Sequence, residues 1–267
     1  MEFCKYQGTG NDFLIVDGMD SDAADFTPQR IRQVCDRHFG VGADGFIAAV
    51  PSGEADVKMA FFNSDGSRAS MCGNGIRCFA KFVRDHGIVK KDVFDVETGD
   101  GVKRVSVLKE TEKSSEIEVD MGTPGAFRTV ETGSFGRLYA VHLGVPHAVR
   151  FSGGAETMEA LDAAALSQGE AIEYAEEFLP QRTNVNFVSV ADSGHILCST
   201  WERGAGKTLA CGTGACSSAA AAHRFMGCGS EIRVTMPGGE VVVSLRPDGQ
   251  VFMRGPAVLI CSGTLAE

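Results

Sequence analysis

"MCGNGIRCFA", residues 71–80, and "ACGTGACSSA", residues 210–219, read as one motif written twice. Each sets a cysteine before Gly-x-Gly and a run of residues suited to a helix, so each cysteine is expected at a helix start. The likeness extends upstream. Asn63 stands nine residues before Cys72, and Glu202 nine before Cys211. The stretches "VKMAFFNSDGSRASMCGNG" (57–75) and "ILCSTWERGAGKTLACGTG" (196–214) both run strand, Gly-containing polar turn, Cys-Gly-x-Gly, helix. Gly87 and Gly227 supply the C-terminal stops. The copies lie about half the chain apart, which makes a two-fold internal repeat and not a solenoid, whose periods are roughly 20–50 residues.

Around the motifs, "FLIVDG" (13–18), "EIEVDMG" (116–122), "RLYAVHLG" (137–144), "VNFVSV" (185–190), "EIRVTM" (231–236) and "EVVVSL" (240–245) read as strands, rich in β-branched residues and bounded by turns. "TPQRIRQVCDRHFG" (27–40) reads as a helix capped by Thr27, with Pro28 in its first turn and Gly40 at its end. Strands dominate and do not alternate regularly with helices, so the expected class is α+β. The stretch "MGTPGAFRTVETGSFG" (121–136) is loop-like and places a boundary there, giving halves 1–122 and 123–267, with the C-terminal strand free to cross back to the first half.

Composition narrows the function classes. The 267 residues carry a net charge of −10 with no Lys/Arg-rich run, which argues against nucleic acid as a partner. No apolar run reaches the roughly 18 residues of a membrane span. The opening "MEFCKYQGTGND" has no basic segment followed by an apolar one, so a cytoplasmic protein is expected. Nine cysteines, an odd number at irregular spacing, read as reduced thiols and not as a disulfide framework. No Cys-x-x-Cys pair occurs, and no metal site is expected. Cys78 and Cys216, inside their helices, read as small core residues.

A helix N-terminus presents unpaired N–H groups and roughly half a positive charge. A thiol placed there ionises more easily, and glycines beside it leave amides open to an anion. Two such thiols suit inversion of a stereocentre: one removes a proton from carbon while the other returns one to the opposite face. A substrate carboxylate would rest on the amides around Gly73, Asn74, Gly212 and Thr213, which tighten on it as charge develops. A positioned acid or base supplies roughly 10²–10⁴-fold, so aimed donors must supply the remainder. Nothing singles out a pyridoxal lysine or phosphate cup, and no cofactor is expected.

These residues resemble the diaminopimelate epimerases, cofactor-independent enzymes of lysine and peptidoglycan-precursor synthesis. The resemblance rests on "GTGNDF" (8–13), "DRHFGVGADG" (36–45), "FNSDGSRASMCGNGIRC" (62–78), "GVPHAV" (144–149), "RTNVNFV" (182–188) and "WERGAGKTLACGTGA" (201–215), and covers essentially the whole chain. It implies two pseudo-symmetric domains, each a curled, mostly antiparallel sheet around a central helix, with the site in the cleft, and a homodimer. It implies Cys72 and Cys211 as the acid–base pair. Asn11, Asn63, Asn184 and Arg203, with the main chain of Glu202, would hold the substrate; His147 and Glu202 would tune the thiols. An arginine grips a carboxylate bidentately, and an asparagine both donates and accepts, as the distal amino-acid end of diaminopimelate requires. Two positions depart from a common family pattern: Gly45, where many members carry Gln, and Val145, where many carry Asn.

Taken singly, the same residues have plainer readings. Asn63 opens a turn, His147 after Pro146 is a structural histidine, and Glu202–Arg203 is a strand-end ion pair. Two other functions compete: a two-thiol racemase of proline, hydroxyproline or histidine type, and a non-enzymatic thiol redox protein. A small apolar substrate leaves Asn184 and Arg203 without a task, and a redox protein predicts no proton exchange at any Cα.

Overall fold

The computed structural model describes residues 1–20 and 26–265. The chain divides into two units, Met1–Val119 with Gly255–Glu267, and Asp120–Arg254. The first carries β1 (Glu2–Gly8), β2 (Asn11–Asp17), α1 (Pro28–Cys35), β3 (Gly45–Val50), β4 (Val57–Asn63), α2 (Gly73–Asp85), β5 (Val93–Thr98), β6 (Gly101–Glu110) and most of β7 (Ser114–Gly122). The second carries β8 (Arg128–Thr132), β9 (Gly136–Leu143), β10 (Val145–Phe151), α3 (Met158–Glu173), β11 (Asn184–Asp192), β12 (His195–Glu202), β13 (Gly206–Lys207), α4 (Gly212–Met226), β14 (Glu231–Met236) and β15 (Gly239–Leu245). The last strand, β16 (Val251–Thr264), serves both: residues to Arg254 belong to the second unit, those from Gly255 to the first.

In the first unit the sheet runs β1 through β7 and meets β16, which also pairs with β1 from Glu2↔Thr264 to Gln7↔Val258, so the sheet returns on itself. Two neighbouring pairs are parallel, β2–β3 and β4–β5, and each encloses a helix. Alternation along the strands serves both helices. Leu14, Val16, Phe46, Ala48 and Phe62 join Ile31, Val34 and Cys35 of α1 in one apolar cluster. On the other face, Phe13 and Ile47 approach Gly75 of α2. All six residues of β3 are therefore buried. Helix α2 is buried from Gly73 to Val83, apolar and polar positions alike, as a helix with sheet around it must be.

The second unit repeats the plan. Its sheet runs β8-β9-β10-β11-β12-β14-β15-β16, with the parallel pairs β10–β11 and β12–β14 again enclosing helices, here α3 and α4. The order β1-β2-α1-β3-β4-α2-β5-β6 thus recurs as β9-β10-α3-β11-β12-α4-β14-β15. Helix α4 takes the place of α2 and is buried at Gly212 and from Gly214 to Ala222. The fold is α+β, two pseudo-symmetric units of mostly antiparallel sheet, each around its own helix. No described helix is long and apolar enough to cross a membrane.

Helix ends follow local chemistry. Thr27 accepts from the Arg30 N–H, and Pro28 occupies the first turn of α1. This helix ends at Cys35 and not at Gly40. Asp36 turns extended, and its carboxylate takes the N–H groups of His38 and Phe39. Gly40 serves close approach, since a Cβ there would lie 2.2 Å from the Gln33 carbonyl. Gly87 and Gly227, at φ +67° and +73°, follow the ends of α2 and α4 as left-handed stops. The stretch 121–136, read as loop-like, holds the short strand β8. Helix α3 was not anticipated, although Thr157 caps it by accepting from the Ala160 N–H.

Candidate active site

Cys72 is the N-cap of α2, in extended conformation, and its Sγ accepts from the Gly75 N–H at 3.4 Å. Its thiol also lies 3.6 Å from Asn11 Oδ1, at the start of β2. Asn11 is held from its other end, where Nδ2 donates to Asp44 Oδ2 at 2.7 Å. Asp44 belongs to a charged cluster in which Arg37 grips both Asp12 and Asp44 and Lys5 reaches Asp12. Burial alone would raise the Asp12 carboxyl, but Arg37 and then Lys5 outweigh it and hold the group down at about 2. Asn63, exposed at the end of β4, donates through its side chain to Ser67 Oγ and so braces the turn that follows.

The first turn of α2 offers main-chain amides, not side chains. Asn74 is buried and its Oδ1 accepts from Thr9 Oγ1 at 3.1 Å and from Arg77 at 3.0 Å. Arg77, fully buried, also donates to the carbonyls of Gly73 and Pro256. Burial pushes Cys78, one turn further on, up to about 12, so it is a core residue. The second glycine of each motif answers to packing. A Cβ on Gly214 would lie 2.5 Å from Asn186 Oδ1, and one on Gly75 would crowd Cys72, Ile47 and Phe13.

Cys211 is the N-cap of α4, again extended and buried. Its sulfur lies 3.6 Å from Thr213 Oγ1, and Thr213 Oγ1 lies 3.0 Å from His147 Nε2 on β10. His147 Nδ1 in turn lies 3.2 Å from Asn186 Nδ2 on β11. Burial, with the charges of His142 and Arg203 adding to it, pushes His147 down to about 3, so the ring is neutral. The Glu202 carboxylate, at the end of β12, takes a hydrogen bond from Thr208 Oγ1 at 2.6 Å. Burial raises its pKa above the usual carboxylate range, against the pull of Thr208 and of the Cys211 thiol. The expectation that a helix start eases ionisation does not hold for Cys211 in the free chain. Burial and then the Glu202 charge raise this thiol well above its ordinary value.

Asn184 and Arg203 sit together in the second unit. Asn184 Oδ1 accepts from the Arg203 N–H at 2.9 Å, and its Nδ2 donates to the Pro146 carbonyl at 2.9 Å. One amide hydrogen of Asn184 remains available. The Arg203 guanidinium donates to the Gln181 carbonyl and makes no ion pair among the described residues. The strand-end ion pair with Glu202 is therefore absent there. Register places Asn184 beside His147. Gly45, at the start of β3, faces Phe13 and Asn63 in register, and a side chain there would run into Phe61 at 2.8 Å. Val145 begins β10, half-buried. Among the described residues no three His, Cys, Asp or Glu side chains gather as a metal site.

Three contributors escaped the sequence reading: Asp44, Arg77 and Asn186. Asn186 stands two residues after Asn184 in "RTNVNFV", on the same face of the strand, and two asparagines at that spacing inside an apolar strand are the signal.

The sequence profile of the family described as diaminopimelate epimerase matches residues 3–126 and 139–260. The chain is 42% identical to the diaminopimelate epimerase of Clostridium perfringens, over 99% of each chain. It is 41% identical to that of Alkaliphilus metalliredigens, over 98% of this chain and 96% of the relative. Among solved structures, a probable proline racemase from Agrobacterium radiobacter superposes with a TM-score of 0.71 at 16% identity, covering 99% of this chain and 92% of the other.

Proposed function

The chain belongs to the diaminopimelate epimerase family, and from that premise we propose that Cys72 and Cys211 act as two bases on one α-carbon of diaminopimelate. The reaction is interconversion of the LL and meso forms, an isomerisation in lysine biosynthesis. One observation carries the assignment of roles: each cysteine is the N-cap residue of the buried central helix at the same place in a repeated β-β-α-β-β-α-β-β plan. We propose the partition 1–122 and 123–267, with the C-terminal strand crossing back to the first half, as the two catalytic halves, working as a homodimer in the cytoplasm.

With LL-substrate, Cys211 takes the Cα proton and Cys72 returns one to the opposite face. Glu202, whose charge already bears on the thiol, receives the proton that Cys211 must first lose. The amides of Gly73, Asn74, Gly212 and Thr213 would cradle the reacting carboxylate, where negative charge builds as the C–H bond breaks. Arg203 and the remaining amide hydrogen of Asn184 suit the distal carboxylate, while Asn11 and Asn63 supply acceptors for an ammonium group. Asn11 Oδ1, aimed at Cys72, suits a thiol that begins protonated. The identities of 41–42% over nearly full length favour diaminopimelate over proline, since the racemase likeness at 16% carries the fold alone.

Incubation in D₂O with LL-diaminopimelate tests the proposal. Deuteration at Cα and appearance of the meso form by NMR are expected, with proline and hydroxyproline inert. Absence of exchange at any diaminopimelate carbon sinks it.

A further inference from the structure

We propose that Asn186 is a positioning residue for Cys211: it fixes the tautomer of His147 and thereby turns the Thr213 hydroxyl hydrogen toward the sulfur. The inference rests on Cys211 being a reacting thiol.

The direction of each hydrogen bond follows from which atoms can only accept. Asn186 Nδ2 faces the Ala148 carbonyl at 3.4 Å as well as His147 Nδ1 at 3.2 Å. A carbonyl cannot donate, so the nitrogen of this amide must be the atom on that side. Its oxygen points the other way and accepts from Thr200 Oγ1 at 3.0 Å. His147 Nδ1 therefore accepts, and in a neutral ring the proton sits on Nε2. Nε2–H donates to Thr213 Oγ1 at 3.0 Å, which leaves the hydroxyl's own hydrogen for Cys211 Sγ at 3.6 Å.

Every link is buried or held by a buried neighbour. Asn186 and His147 are at most 1% exposed. The charges bearing on the chain are Glu202 at the cysteine end and His142 and Arg203 at the histidine. A thiolate gains most from a donor aimed at it, and a thiol gains less. The chain therefore favours the state in which Glu202 holds the proton and Cys211 is ready to attack Cα–H. His147 acts as a neutral conductor of hydrogen-bond polarity and not as a cation. It needs Asn186 because an imidazole left to itself could present either nitrogen to Thr213.

Long-range proton–nitrogen NMR of protein labelled with ¹⁵N-histidine reads the tautomer directly, with six histidines to assign. His147 is expected as the Nε2–H form, without titration between about pH 6 and 8. An Nδ1–H form, or an imidazolium in that range, overturns the proposal while leaving epimerase activity untouched as a separate question. Asn186→Asp supplies a carboxylate that accepts a hydrogen bond from Nδ1–H, so the ring proton moves from Nε2 to Nδ1 and the Thr213 hydroxyl turns to donate to Nε2. In that variant the pH midpoint for iodoacetamide labelling of Cys211, mapped by peptide, should rise and kcat should fall about tenfold or more, with KM within about twofold. Placing the same change in a Thr213→Val background should add nothing, whereas Thr213→Ser should keep the wild-type midpoint. A folded Asn186→Asp with wild-type labelling, or an equal shift in the Thr213→Val background, defeats the chain. If Asn186→Asp does not fold, the tautomer in the wild-type protein decides.

Discussion

Burial raises both the Cys211 thiol and the Glu202 carboxyl above their ordinary values, and the Glu202 charge raises the thiol further. Glu202→Gln separates two effects that act in opposite senses. Loss of the carboxylate charge should let Cys211 label with iodoacetamide at lower pH than in the wild type, because that charge raises the thiol. Turnover should nevertheless fall by about 10² or more, since no group remains to take the proton. A variant whose labelling midpoint rises, or whose kcat stays near wild type, shows that Glu202 is not the partner.

The two cysteines should fail differently. Cys72→Ala should abolish epimerisation yet still exchange the Cα hydrogen of LL-substrate with D₂O, configuration retained, because Cys211 and Glu202 remain. Cys211→Ala should lose that exchange but keep it at the epimerisable centre of meso-substrate. Epimerisation near the normal rate in either variant, followed by NMR in D₂O, removes the two-base mechanism.

Arg203 is spoken for at its main-chain N–H by Asn184 and at one nitrogen by Gln181, which aims the rest of the fork. Arg203→Lys keeps the charge and loses the planar pair of donors. The lost charge-assisted bond, about 1.5–3 kcal/mol, corresponds to a rise in KM of roughly 10- to 100-fold. Initial-rate measurements giving an unchanged KM for diaminopimelate would make Arg203 a scaffold residue.

Acid stability has its own signature. Asp12 is ordinarily at 3.8 and is held down at about 2 in the fold, so the group stabilises the native state fully above its ordinary value and less as pH falls through about 2. The contribution is up to about 2 kcal/mol. Asp12→Asn should therefore unfold earlier in urea at neutral pH and lose much of the wild type's pH dependence between about 4 and 2. Identical pH dependence in both proteins rules out Asp12 as the carrier.

What could be read from the sequence depended on whether a residue's chemistry was local. Cysteine before Gly-x-Gly announces a helix start, and Thr27-Pro28 does the same, because caps are decided within a few residues. Gly40 predicts the end of α1 because a glycine usually stops a helix, but Asp36 stops it first by capturing two amides. Asn74 was legible for its main-chain amide, while its side chain turned out to be bound to Thr9 and Arg77. Asn186 and Asp44 are illegible because their partners lie far off in sequence, and Arg77 because two of its own, Thr9 and Pro256, do. Asn186 touches His147 across 39 positions of sequence, and Asp44 reaches Asn11 across 33. Strand β8 was missed for a related reason, since a five-residue edge strand rich in polar positions shows little alternation.

The strand β16 sets an order on synthesis. A ribosome releases the chain from residue 1 onward, and nearly all of the first unit emerges while its neighbour for β1 is still untranslated. Glu2 waits for Thr264, and Lys5 waits for Cys261. Until those residues leave the exit tunnel, β1 has a bare hydrogen-bonding edge, open to any passing strand. The first thiol motif can be made early, but the sheet that surrounds it can close only once β16 has been made.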